Sequence, residues 1–390
     1  MGARTTVVIG GALAQRPLAG GHAWVFLNWL LGLEAAGFDV LFLDRLERAM
    51  LDDPAAPPDA SPQWRWLHRV MTAAGMEGRF ALLYDRGRAC LGMERAEVLL
   101  RCGQAPVFLN FMGYIDDDEV LGAVGRRVFV DIDPGFPQLW RTLGLHDAFA
   151  GHDAFVTVGP QVGRPGCAVP DCGIDWIPTL PPVALDHWPV VDPAAAGNRP
   201  RVTSVCTWRG PDGPITYEGV RYGLKVHEFR RFAGLPAGVP GADFELALDI
   251  DPADELDTAM LREQHWHLVD PRRVAGEPGS YRRYIQGSSA ELCVAKGIYV
   301  ASRGGWFSDR SACYLASGRP VVAQDTGWPA TLPSGEGLLA FTGPDEAAAA
   351  LAEVTGNPSR HAKAARDLAV DCLDATKVLA SLLARLGVAC

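Results

Sequence analysis

The chain has 390 residues, enough for two or three domains, and 48% of them are hydrophobic, ample for large cores. A formal net charge of −10 argues against nucleic acid or an anionic membrane as the main partner. No apolar run is long enough to span a bilayer, and nine cysteines without a C-x-x-C pair fit a reducing cytoplasm, so a cytoplasmic location is expected.

The opening "TTVVIGG" is a short apolar run ending in glycines, as a buried parallel strand requires. It begins almost at once, so no secretory leader is expected. "GGHAWVFLNWLLGLEAAGFDVLFLD" then predicts a helix, Gly37 as its stop, and a strand from Asp39 to Leu43. A helix is predicted around Trp64–Ala74. "QAPVFLNFMG", "RRVFVDIDPG" and "HDAFVTVG" each read as a short strand ending in Gly, Asn or Asp. From Cys167 to Pro200 the pattern gives way to prolines, and residues 186–200 read as a linker. A second alternating series follows, with strands at "RVTSVCTW", "ADFELALDID", "WHLVD", "KGIYVAS" and "PVVAQD" and helices at "YRRYIQGSSAELCVA" and "DRSACYLAS". His361 to Leu386 is one long amphipathic helical pattern. Repeated β-α alternation implies two Rossmann-like α/β domains, each a doubly wound parallel sheet, facing a cleft at the strands' carboxyl ends.

In "SRGGWFSDRSACYLASGRPVVAQDTGW", Ser302–Trp328, Gly304 and Gly305 allow a tight turn, and Ser308 or Asp309 caps a helix through Ala316 that Gly318 ends. A glycine turn at a helix N-terminus offers free amides and the positive end of the helix dipole to a phosphate. An ordinary tight loop is the alternative reading.

This half resembles the donor domain of the GT-B-fold glycosyltransferase superfamily. "AsGrPVVAqDtG" (Ala316–Gly327) and "GEGLLAFTGPDEAAAAL" (Gly335–Leu351) match its strand and following segment, and "GGHAWVFLNWLLGLEAAGFDVLFL" is similar to its acceptor-domain opening. The resemblance implies an N-terminal acceptor domain over residues 1–185, a donor domain over 201–365, and a final helix, 366–390, returning to the first domain. It implies transfer of a sugar from a nucleotide-sugar to a hydroxyl-bearing acceptor, with no cofactor and no required metal. A secondary metabolite from a bacterial cytoplasm, or a glycan, is the expected acceptor. Retaining members carry two glutamates eight positions apart before "A-x-G"; the matching positions here are Gly305 and Cys313, so that signature is missing and the stereochemical course is open.

For the donor diphosphate, the candidates are the loop Arg303, Gly304, Gly305, Trp306, Phe307, Ser308 and Asp309, with Arg209 and Lys225 as cations. Arg310 could pair instead with Asp309 or Asp325. The fold's usual base site points to His267, Leu268, Val269 and Asp270. Gly20, Gly21 and Trp24 are the acceptor-side candidates. His22 is the first choice of base, because an unperturbed imidazole titrates near 6.5. Asp131 and Asp133 in "FVDIDPG" are the rivals for that role, and as a D-x-D pair they also suggest a metal-dependent GT-A enzyme, which the second sheet domain disfavours. A nucleotide-sugar epimerase and a noncatalytic nucleotide- or sugar-binding protein remain as competing readings.

Overall fold

The computed structural model describes residues 4–192, 199–210 and 212–389. Residues 193–198 of the expected linker lie outside the described residues.

Strands β1 (Thr6–Gly11), β2 (Asp39–Leu46), β3 (Phe80–Tyr84), β4 (Ala89–Leu91), β5 (Val107–Phe111), β6 (Arg127–Asp131), β7 (Ala154–Thr157) and β8 (Trp176–Pro178) form one sheet. Its order is β4-β3-β2-β1-β5-β6-β7-β8, parallel except where β4 runs antiparallel to β3. Strands β9 (Arg201–Thr207), β12 (Asp243–Asp249), β13 (Trp266–Val269), β14 (Ala290–Cys293), β15 (Val321–Gln324) and β16 (Leu338–Phe341) form a second, all-parallel sheet. Its order is β13-β12-β9-β14-β15-β16, and a hairpin, β10 (Ile215–Tyr217) with β11 (Val220–Tyr222), is inserted after β9. The central strands are buried on both faces, Val7, Val8 and Ile9 fully, because helices cover both sides of a parallel sheet. In each sheet the chain order reverses at the first strand, β1 or β9, and the crevice beyond such a reversal is where doubly wound folds bind ligands.

One stretch departs from the sequence reading. "KGIYVAS" is predicted as a strand but folds as the helix Gly297–Ser302. The strand is "AELC", β14, which lies between β9 and β15, where the sequence pattern instead predicts a continuation of the preceding helix. That helix ends at Gln286, and the two serines after Gly287 turn the chain into the sheet. The β-branched residues of "IYV" favour a strand locally, and the central slot filled by β14 overrides that preference. The C-terminal pattern is also divided: helix Pro358–Leu368, a π-turn at Ala369–Leu373, then helix Ala375–Arg385.

One apolar cluster spans both halves, while the outer faces of the two sheets pack separate clusters of their own. The shared cluster runs from β1 and the helix Gly20–Ala35 through Trp188 and Tyr281 into the helices Asp309–Ala316 and Ala375–Arg385. The final helix lies so close to Gly20–Ala35 that a Cβ on Gly32 would meet the Ala375 Cβ at 2.5 Å. Val183 ties into the π-turn, donating to Leu373 O at 2.8 Å and accepting from the Ala375 amide at 3.0 Å.

Candidate active site

A cleft of about 580 Å³ opens where the carboxyl ends of β1, β9 and β12 face each other. One wall is the loop after β1, Gln15 to Gly21, with His22 and Val25 behind it. The other is built from Val205–Thr207, Arg209, Lys225, Asp249, Arg272, Lys296, Tyr299, Trp306 and Ser308–Arg310.

The first wall is rigid. Asp44, fully buried at the β2 end, accepts from the Ala14 amide at 2.7 Å, and the Gln15 side chain donates to Arg45 O at 3.0 Å. Burial lifts the Asp44 carboxyl to about 7, against the lowering pull of the Ala14, Arg45 and Leu13 amides. Gly20 and Gly21, expected to meet the acceptor, line the cleft but are glycines for another reason. A Cβ on Gly20 would sit 2.5 Å from Ala275 O and 2.6 Å from Glu277 O, and one on Gly21 would strike the Tyr281 ring. They let the helix start touch the second sheet's helices. Trp24 faces no acceptor: its indole donates to Pro278 O at 2.9 Å, its ring packs on Trp188 at 4.7 Å, and it is buried.

His22 lines the cleft half-buried. Ala12 O can only accept, so the 3.0 Å bond makes Nε2 the donor and leaves Nδ1 with its lone pair. Desolvation first, with the Arg16 charge nearby, lowers its pKa to about 4, against the raising effect of the Ala12 bond. The ring is therefore a neutral acceptor at pH 7, a weaker base than the sequence suggests.

The rival aspartates divide. Asp131 is fully buried away from the cleft and accepts from Gln138 (2.8 Å), Thr157 (2.9 Å) and the Asp133 amide (3.0 Å). Burial raises it to about 7, and it serves to hold its turn. Asp133 reaches the second sheet, accepting from Lys296 Nζ at 2.8 Å and from the Tyr299 hydroxyl. It is a clasp across the two halves.

The expected diphosphate loop is half in the site. Trp306, Ser308 and Asp309 line the cleft, Ser308 at the N-cap position of helix Asp309–Ala316. Arg303 points away and pairs with Asp325 at 3.1 Å. Gly304 O accepts from the Gln161 amide at 3.0 Å and Gly305, at φ +81°, abuts Gln161, so this turn docks on the first half. Phe307 is buried against Trp328. Burial raises the Asp309 carboxyl, against the pull of the Arg310 charge.

Lys225 and Arg209 both reach the cleft. Lys225 is buried, donates to Val294 O, and is lowered chiefly by desolvation. Arg209 is held by Asp254, Nε to Oδ2 at 2.9 Å. The expected base-binding strand falls short of the site: His267 pairs with Glu245 at 2.7 Å in a separate cavity, Leu268 and Val269 do not line the cleft, and Asp270 caps the next helix through the Arg272 amide. The residues just after it, Pro271 and Arg272, do line the cleft.

Sequence reasoning missed Arg16, Lys296, Tyr299 and Arg272, and misassigned the partner of Arg310. Its guanidinium pairs with the fully buried Glu291 and donates to Val205 O at 2.8 Å and Cys293 Sγ at 3.2 Å, stitching the helix start to β14 and β9. Tyr299 stacks on Trp306, centroids 4.1 Å apart. Lys296 stood in "KGIYVAS", where the strand reading hid it; a lysine before a glycine at a sheet-to-helix turn was the available signal.

No protein-family model matches the chain, and no curated protein matches it in sequence. Solved structures do resemble it. The HepE protein of Anabaena in complex with UDP and glucose superposes with a TM-score of 0.60 over 98% of this chain and 99% of that one, at 11% identity. The fold is GT-B. An α-glucosyltransferase in complex with UDP and a 13-mer DNA gives a TM-score of 0.61 over 100% of both chains at 9% identity. The sucrose-phosphate synthase of Thermosynechococcus elongatus gives 0.56 over 98% and 99%, at 14%. Identity at this level fixes the GT-B architecture and leaves the activity to the cleft. Among the described residues, no helix is long and apolar enough to cross a membrane.

Proposed function

We propose that the protein is a glycosyltransferase that moves a sugar from a nucleoside diphosphate sugar to a hydroxyl of a small molecule or glycan, in the cytoplasm and with no bound metal. The observation that carries this is the convergence of Lys225, Arg209, Lys296 and the amides at the Asp309 helix start on one cleft at the sheets' switch points. A departing diphosphate needs positive charge fixed in advance, and cations with oriented amides supply it without a metal. HepE structures with UDP and with UDP-glucose support the same donor class.

In this reading residues 1–185 carry the acceptor wall, 201–365 the donor wall, and 366–390 return to the first. Trp306, backed by Tyr299, offers an aromatic face to the sugar, and Asp309 accepts from its hydroxyls. His22 Nδ1 accepts the hydrogen bond of the attacking hydroxyl.

Thermal unfolding against UDP, GDP, dTDP, ADP and CMP, with and without chelator, tests the proposal. A ligand at 100 times its Kd stabilises by about 2.7 kcal/mol. One diphosphate is expected to raise Tm whether or not chelator is present. A shift that disappears with chelator overturns the metal-free reading, and no shift with any nucleotide overturns the donor site.

A further inference from the structure

Six cationic side chains line the cleft, and four are committed to protein partners: Arg209 to Asp254, Lys225 to Val294 O, Lys296 to Asp133 and Arg310 to Glu291. The guanidinium groups of Arg16 and Arg272 make no hydrogen bond or ion pair among the described residues. They stand on opposite walls. Arg272 follows β13 on the donor side, whereas Arg16 is on the loop after β1, beside His22.

An unpaired arginine on a loose loop would be an ordinary solvated charge. This loop is not loose. It is pinned by the Ala14 bond to Asp44, by Gln15 to Arg45 O, and by the Arg16 amide to Leu13 O at 3.3 Å, while Gly20 is wedged against two carbonyls. The Arg16 charge reaches His22, Tyr114 and Asp212, yet none of them bonds to it. An exposed guanidinium that no side chain bonds, carried on a pinned backbone at the mouth of a cleft, is free to pair bidentately with a carboxylate or phosphate.

Resting on the glycosyl-transfer reading, we infer that Arg16 reads an anionic group on the acceptor, so that the acceptor is a hydroxyl compound bearing a phosphate or a carboxylate. Its hydroxyl then lies toward His22 and its anion toward Arg16, on the wall facing the donor cations.

The test uses the full chain saturated with UDP, so that the diphosphate site is already filled. Inorganic phosphate, glucose 6-phosphate, glucuronate and glucose are titrated by calorimetry at matched ionic strength. Phosphate is expected to bind, and glucose 6-phosphate or glucuronate to bind at least tenfold more tightly than glucose; which of the two wins identifies the anion. Arg16→Ala is expected to abolish phosphate binding and the discrimination while leaving the UDP Kd within twofold, and Arg16→Lys to keep part of both. Absence of binding by phosphate, glucose 6-phosphate and glucuronate alike to the UDP-saturated wild type overturns the inference, as does discrimination that survives Arg16→Ala. A tenfold loss of UDP affinity in Arg16→Ala also overturns it, assigning Arg16 to the donor. Failure of the wild type to bind any nucleoside diphosphate instead sinks the donor reading, and this inference with it.

Discussion

Gly20→Ala is the sharpest test of how the two halves meet. Gly20 opens a helix, and in a free helix alanine is favoured over glycine by about 1 kcal/mol. Here the added Cβ would lie 2.5 Å from Ala275 O and 2.6 Å from Glu277 O, both backbone atoms that no rotamer change can move aside. Restoring ordinary contact needs a retreat of roughly 0.8 Å, and overpacking of this kind costs about 1–3 kcal/mol. The sign of the change therefore depends on the contact between halves, not on helix propensity. Urea unfolding is expected to show a net loss of ~1–3 kcal/mol, with a lower Tm. The same retreat moves His22 relative to the donor wall, and a displacement near 1 Å costs about 100-fold in rate. UDP affinity is expected to change little, since the proposed donor cations stand on the opposite wall. Gly21→Ala is milder, because the Tyr281 ring it meets is a side chain. A Gly20→Ala protein as stable as the wild type, or more stable, refutes this account of the junction.

Asp44 provides a pH test. Its folded pKa, about 7, lies above the ordinary aspartate value of 3.8, so the folded state binds more protons between these values and stability falls as pH rises from about 4 to 7. Asp44→Asn is expected to gain on the wild type across that window, by at most ~1.4 kcal/mol per pH unit, as followed by urea unfolding at each pH; a pH-independent difference contradicts it. His22, held near 4, stays neutral above pH 5, so transfer is expected to show no inflection near 6.5 from this residue, and His22→Ala to lower kcat by about 10²–10⁴-fold. An inflection near 6.5 that His22→Ala abolishes speaks against a neutral His22. Lys225→Met, removing a buried cation from the cleft, is expected to weaken UDP by about tenfold or more while Arg209→Gln, whose cation is half-exposed and already paired, weakens it less; calorimetry with UDP checks the order.

Much of the architecture was legible because it is written locally. "TTVVIGG" and "AsGrPVVAqDtG" are buried runs with glycine stops, and the helix from Asp309 to Ala316 lies where the N-cap Ser308 and Gly318, at φ +69°, put its limits. Four-residue β14 was not legible, since its only distinction is its place between β9 and β15. The site was legible in its loops and obscure in its charges. A sequence displays every arginine and carboxylate, but which ones neutralise each other is settled by partners far along the chain: Asp133 with Lys296, Arg209 with Asp254, Arg310 with Glu291. Those pairings reverse the order of interest that motifs suggest. Arg303, in the glycine turn, is bound to Asp325 outside the cleft, and Asp131, in a D-x-D, is buried in its turn. Arg16 belongs to no motif, and it stands out only because no side chain among the described residues bonds its guanidinium at the cleft.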